Sequence, residues 1–218
     1  MKKRKNIITV AIDSGAAAGA GTVAKSIAKY FNLFYLDTGK IYRFLGKLKL
    51  DKKEKFNYLL IKKKINKLKI KDLLSKSLLS DKIAISASII AKDKKIRKLV
   101  KNFQKNCAYN PPKKYNGSIL DGRDITSIIM KDAMFKFFIT ADIKTRAMRR
   151  FKEYKILNKK ISYHEVLKSI KNRDKSDRNR KFGKLKKTKD STLINTSKLS
   201  KRACFLKIKR IMDRKLKV

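Results

Sequence analysis

The chain has 218 residues, of which 61 are Lys or Arg and 17 are Asp or Glu, for a formal net charge of +44. At 42% hydrophobic it is not composed like a disordered chain, and it is long enough to bury a core without disulfides. The charge excludes an acidic solvating protein and means that polyanions will adhere to the surface.

Taken in chain order, Ile7 to Ile12 is a short β-branched run, read as a buried parallel strand. Small residues follow from Ser14 to Thr22, then Val23, Ile27 and Phe31 at helical spacing. Phe34-Tyr35-Leu36 predicts a second strand, ended by Asp37-Thr38-Gly39. Residues 47–82 alternate Lys with Leu or Ile, and neither strand nor helix wins on pattern. This segment is expected to form a small basic lobe inserted into the core. Ser86 to Lys105 reads as one helix, ended by Asn110-Pro111-Pro112. Ser118-Ile119-Leu120 and Phe135 to Ile139 predict two more strands, and Leu193-Ile194-Asn195 a fifth. Residues 143–155, 164–175 and 199–213 predict helices. Strands alternating with helices argue for a parallel sheet covered on both faces.

Two cysteines without a C-x-x-C, and a single His, exclude a zinc site and suit a reducing cytoplasm. No apolar run reaches the ~20 residues a spanning helix needs. The basic start before Ile7 imitates a signal peptide, but Asp13 interrupts the apolar stretch. The basic residues are 48 Lys and 13 Arg, with Lys scattered from end to end. AT-rich coding bias and a nucleic-acid partner both explain that excess. Any nucleic-acid binding is expected to be non-specific and charge-driven.

Ser14, Gly15, Ala16, Ala17, Ala18, Gly19, Ala20, Gly21 and Thr22 lie where an α/β protein binds phosphate, between a first strand and a helix. On its own this segment serves equally as a tight packing turn. It departs from the G-x-x-x-x-G-K-[GST] pattern: Ser14 takes the first Gly position and Ala20 the lysine position. Three further motifs sit at or near the carboxyl edge of the predicted sheet, where ligands bind. They are Leu36-Asp37-Thr38-Gly39-Lys40-Ile41-Tyr42-Arg43, Asp121-Gly122-Arg123-Asp124, and the run from Ile170 to Arg180. Together they hold five Arg and five Asp. Arg forks suit phosphate, and Asp suits sugar hydroxyls, base amino groups and hydrated magnesium.

These segments resemble those of the bacterial cytidylate kinases, which are nucleoside monophosphate kinases. The family's first loop, roughly I-D-G-P-x-x-x-G-K-G-T, is matched from Ile12 to Thr22. Its L-D-[ST]-G-x-x-Y-R is matched by Leu36 to Arg43, its D-G-R-D by Asp121 to Asp124, and its I-x-x-R-D-x-x-D-x-x-R by Ile170 to Arg180. The resemblance runs from about residue 7 to 213. It implies a P-loop kinase-like three-layer α/β fold with a parallel five-stranded sheet, in a single domain over residues 1–218. The core would span about 6–46 and 86–218, the inserted lobe that binds the nucleoside monophosphate about 47–85, and a helical lid about 151–183. It further implies ATP and Mg²⁺ as cofactors and CMP or dCMP as acceptor in a soluble monomer. Ser88, Arg97 and Asp124 would contact cytosine, and Arg173 and Asp177 the ribose. Arg43, Arg123 and Arg180 would grip the acceptor phosphate, with Thr38 and Tyr42 shaping its pocket. Arg149 and Arg150 would face the ATP phosphates. No residue is assigned as a direct metal ligand.

Two departures bear on these expectations. The inserted lobe is short, and Ala20 removes a cation, for which Lys25 and Lys40 are candidate substitutes. Ala20 and the charge also motivate an alternative, a catalytically weak kinase-fold protein that binds nucleotide or RNA.

Overall fold

A computed structural model describes residues 6–157 and 160–216. Its centre is a five-stranded sheet built from β1 (Ile8–Ser14), β2 (Leu33–Asp37), β3 (Gly117–Gly122), β4 (Phe135–Thr140) and β5 (Thr192–Asn195). The order is β2-β3-β1-β4-β5, with every pairing parallel. Alternation along β1 explains the layers. Val10 and Ile12 face one way, onto α1 (Ala20–Tyr30) and α8 (Lys201–Leu216), through Val23, Ile27, Ile208 and Met212. Ala11 faces the other way, into a cluster with Ile41 and Leu45 of α2 (Gly39–Lys52) and Val100 of α5 (Lys94–Tyr109). Each such aliphatic side chain contributes roughly 1.5–3 kcal/mol on burial. A third cluster joins α6 (Ile143–Ile156) to α7 (Tyr163–Asn179) through Ala147, Val166 and Ile170, and it includes Ala16.

Three local expectations change. The first strand runs on to Ser14, and α1 begins at Ala20, so the intervening loop is only Gly15–Gly19. The Lys-Leu segment is helical. Helix α2 runs straight through residue 47 to Lys52, and α3 (Tyr58–Asn66) follows, flanked by 3₁₀ turns. Leu48 is buried while Leu50 is exposed, as a helix requires and a strand with both on one face does not. Ile61 and Ile65 of α3 are buried one turn apart, and Asn57 accepts from the Leu60 amide as the N-cap. The helix expected from Ser86 to Lys105 is two, α4 (Asp81–Ile90) and α5. Asp93 breaks it by capping α5, its carboxylate accepting from the Ile96 amide at 2.9 Å. Among the described residues no helix is long and apolar enough to cross a membrane.

Candidate active site

The carboxyl ends of β1, β2 and β3 place Ser14, Asp37 and Asp121 along one edge of the sheet. The loop after β1 ends at Gly19, with φ 89° and no side-chain cap on α1. The first amides of α1, from Ala20 to Thr22, therefore lack side-chain acceptors and face outward with the positive end of the helix dipole. Backbone so arranged can take an anion, and the small side chains leave room for a phosphate to approach.

Asp13, buried at the end of β1, shapes the neighbouring turn. Its carboxylate accepts from the amides of Ile125 at 2.7 Å and Thr126 at 2.9 Å, and from the Thr126 hydroxyl at 2.6 Å. Those bonds fasten the Asp121–Asp124 turn to β1. Burial pushes the Asp13 carboxyl up to about 6 from 3.8, against the pull of those donors. A folded pKa above the unfolded one means this group favours folding most below about pH 4 and progressively less as pH rises to about 6. A carboxyl ¹³C NMR titration should place the Asp13 midpoint near 6; a midpoint near 4 would contradict this picture of its burial.

Asp37 and Asp121 are register partners on β2 and β3. Burial, then the charge of Asp37, pushes the Asp121 carboxyl up to about 8, with Arg123 and Lys25 pulling the other way. The Tyr35 hydroxyl donates to Asp121 at 3.4 Å. A Cβ on Gly21 would lie 3.3 Å from Asp121 Oδ2, so this acidic pair stands against the start of α1. Two carboxyl groups this close are relieved by a shared proton or by a cation. Their hard oxygens would fit a Mg²⁺ that keeps several of its waters. Sequence reasoning assigned neither carboxylate to a metal; the visible signal was one Asp ending each of two strands.

Past β3, arginines converge. Asp177 accepts from Arg123 Nε at 2.7 Å and from Arg180 Nη1 at 3.3 Å. Burial would press Arg123 down, but Asp177 together with the charges of Asp121 and Asp174 outweighs it and the net shift is upward. Asp177 itself is held below its ordinary value, because Arg123 and Arg173 outweigh its burial. Arg180 is lowered by burial and by Arg97, and its Nη2 is buried without a hydrogen-bond partner among the described residues. Arg173 still reaches solvent by area. Nonetheless, loss of hydration around its guanidinium, then the like charge of Arg123, with Arg43 and Arg150 adding to it, brings it down to about 10. Arg43 donates to the Leu78 carbonyl at 2.8 Å, tying α2 to the segment that precedes α4. Crowded guanidinium groups, one with an orphaned donor, have the charge and the geometry to take an oxyanion.

A second group adjoins the first. Arg97 pairs with Asp124 and lies 5.5 Å over the Tyr42 ring. Burial pushes the Tyr42 hydroxyl up to about 12. Gly183 covers the ion pair. Its φ is 64°, its carbonyl accepts from Arg180 Nε, and a Cβ there would collide with Arg97 Nη2 and fall 2.7 Å from Asp124 Oδ2. The chain exit from α7 thus links the arginine cluster to the Arg97–Asp124 pair, a role nothing in the local sequence advertised beyond the glycine itself.

The other expected residues sit as follows. Thr38 is buried, its hydroxyl donating to the Asp121 carbonyl at 2.8 Å, so it braces β2 against β3. Ser88 is half-buried on α4, and among the described residues no hydrogen bond ties it to the Arg97–Asp124 pair. Arg149 donates to Thr196, to its hydroxyl at 2.9 Å and its carbonyl at 2.7 Å, beside Gly19. Arg150 pairs with Glu153 at 3.0 Å and lies over Tyr154. Lys25 is exposed on α1 and close enough for its charge to reach Asp121. Lys40 is half-buried in the first turn of α2. Arg146 and Asp174, to which sequence reasoning gave no role, are buried and bonded to Ala16 of the loop.

Comparison with known proteins agrees with this geometry. The sequence profile described as Cytidylate kinase matches residues 10–214. A Clostridium botulinum cytidylate kinase (strain Hall) is 37% identical over 205 residues, covering 87% of this chain and 90% of its own. One from Bartonella tribocorum is 37% identical over 203 residues, covering 90% of both. One from Mesomycoplasma hyopneumoniae (strain 7448) is 34% identical over 225 residues, covering 96% of this chain and 95% of its own. Among solved structures, a protein of Eubacterium ventriosum aligns with a TM-score of 0.57 at 17% identity, over 94% of this chain and 98% of that one. TT1252 from Thermus thermophilus aligns at 0.52 and 14% identity, over 96% and 98%. At such identities the structural likenesses speak for the fold. The sequence matches, which span nearly the whole chain, speak for descent: this chain is a member of the cytidylate kinase family.

Proposed function

We propose that the chain transfers the γ-phosphoryl group of ATP to CMP or dCMP, giving ADP and CDP or dCDP. The observation that carries this reading is the arginine cluster around Asp177, with the buried, unpartnered Nη2 of Arg180, set one strand away from a backbone anion site. Two phosphate sites on one sheet edge suit a donor and an acceptor.

In this reading the amides of the Ser14–Thr22 loop hold the ATP phosphates, with Arg149 and Arg150 on the lid side. Arg43, Arg123 and Arg180 hold the acceptor phosphate, and Arg173 and Asp177 orient the ribose. Tyr42, Ser88, Arg97 and Asp124 line the base site, where Asp124 accepts from an exocyclic amino group and so favours cytosine over uracil. Thr38 keeps the two strand ends in register. Mg²⁺, held through Asp37 and Asp121, supplies charge neutralisation on the transferring phosphate when bound. An α-phosphate oxygen of CMP forms a bond to the γ-phosphorus as the bond to the β,γ-bridging oxygen breaks, and ADP leaves with that electron pair. The attacking oxygen is already anionic near neutral pH, so the chain supplies position and charge, not a base. The lobe at about 47–85 and the lid at about 151–183 close over the acceptor and exclude water. The protein works as a monomer in the cytoplasm, a reducing compartment that suits its two free, buried thiols.

Product identity tests this. Purified chain with Mg-ATP and CMP should form CDP and ADP in equal amounts; ADP and inorganic phosphate without CDP would contradict it.

Ala20 leaves the loop without its own cation, and we assign the deficit to Lys25 and Lys40. Lys25→Ala or Lys40→Ala should lower kcat about tenfold or more, since one preorganised donor contributes ~3 kcal/mol and partial substitution keeps a share of it. Unchanged turnover in both variants would rule these two lysines out.

A further inference from the structure

The loop contains a residue in a conformation its side chain disfavours. Ala17 has φ 57°, the left-handed region, where a Cβ crowds the backbone. Such a conformation persists only where the surroundings over-determine it. Here both flanks of Ala17 are gripped by side chains from outside the loop.

On one flank, the Ala16 amide donates to Asp174 Oδ1 at 3.2 Å. Arg146 Nη1 donates to Asp174 Oδ2 at 2.6 Å and to the Ala16 carbonyl at 3.1 Å. The two backbone groups of Ala16 are thus closed into a ring by one buried ion pair, which α6 and α7 each supply with one member. Arg146 Nε, anchored on the Ala141 carbonyl at 2.9 Å, prevents the pair from swinging away. On the other flank, the Thr196 hydroxyl donates to the Ala18 carbonyl at 3.0 Å and accepts from Arg149. Gly15 leaves just enough room for the ring, since a Cβ there would stand 3.1 Å from Arg146 Nη1.

We propose that Arg146 and Asp174 are positioning residues for the nucleoside triphosphate. They hold Ala16–Ala18 in the left-handed turn that aims the loop amides, a conformation a glycine at 17 would adopt unaided. The hydrogen bonds of the pair go to the loop and not to the acceptor site, which Asp174 reaches only through its charge on Arg123. Because one sits on α6 and the other on α7, the loop's shape is tied to the packing of α6 against α7. This inference rests on the reading that the loop cradles ATP phosphates.

The test pairs Asp174→Asn with Ala17→Gly and uses Mg-ADP and CMP as calorimetric probes. Asp174→Asn should weaken Mg-ADP binding tenfold or more and change CMP binding less than twofold. It should also speed hydrogen exchange of the amides from Ala16 to Gly21 at least tenfold. Adding Ala17→Gly should restore Mg-ADP affinity to within about threefold of wild type, a rescue that general damage to the α6–α7 packing would not allow. Should the lone charge left on Arg146 prevent folding, the paired Arg146→Met, Asp174→Leu variant removes both charges and must give the same loss and the same rescue. Unchanged loop exchange, or a loss that Ala17→Gly does not repair, overturns the clamp. Wild-type protein that fails to bind Mg-ADP overturns the underlying reading instead, whatever the exchange shows.

Discussion

Replacing Arg123 with alanine should lower CMP-dependent kcat/KM about a hundred- to a thousandfold. This is the scale set by removing one preorganised donor from a reacting oxyanion. The guanidinium is held by Asp177 through Nε and by the Gly122 carbonyl through Nη1 at 3.1 Å, so it is rigid before substrate arrives. Its loss leaves Asp177 facing Arg180 and Arg173 alone. Lys in its place keeps the charge but not the fork, and should recover only part of the rate. Steady-state kinetics on folded variants decide the matter; an Arg123→Ala enzyme within threefold of wild type would remove Arg123 from the reaction.

Gly183→Ala should raise KM for CMP at least tenfold, with a smaller change in kcat, and should weaken discrimination against UMP. Two effects combine. The backbone at φ 64° disfavours any Cβ, and the added methyl would press on two buried, hydrogen-bonded groups, Arg97 and Asp124, that yield only by breaking their ion pair. A stability loss of about 1–3 kcal/mol should accompany this, visible as a lower Tm. A variant with wild-type KM and the same CMP-to-UMP ratio would mean that Gly183 only turns the chain.

Much of the fold was legible because its signals are local. Short β-branched, aromatic or Leu-containing runs marked all five strands, and their alternation with helices implied the parallel sheet. The Lys-Leu segment was illegible for a physical reason. Leu48 and Leu50 repeat with period two, which suggests a strand, and only packing against the core shows that one is buried and the other is not. The break between α4 and α5 was readable in principle, since Asp93 is a favourable N-cap residue, but the apolar spacing of Ile89, Ile90 and Ile96 masked it.

For the site, the motifs located the arginines and aspartates, while pairings across the chain were out of reach. Asp13 reaches Ile125, and Asp174 reaches Ala16, over separations of 112 and 158 residues. Both are buried carboxylates serving backbone amides, and a sequence records only that an acid stands there. Ala20 was read as a missing charge; the structure adds Ala17, a missing glycine, whose cost falls on helices far away in the chain.

The most direct test of the account is the initial rate of ADP release with Mg-ATP and, separately, CMP, dCMP, UMP and AMP. The account predicts turnover with CMP and dCMP well above that with UMP or AMP, and its loss in Arg123→Ala. Measurable CMP binding with no turnover on any acceptor would contradict it. That result would mean that a loop with Ala20 in the lysine position binds nucleotide without transferring phosphate.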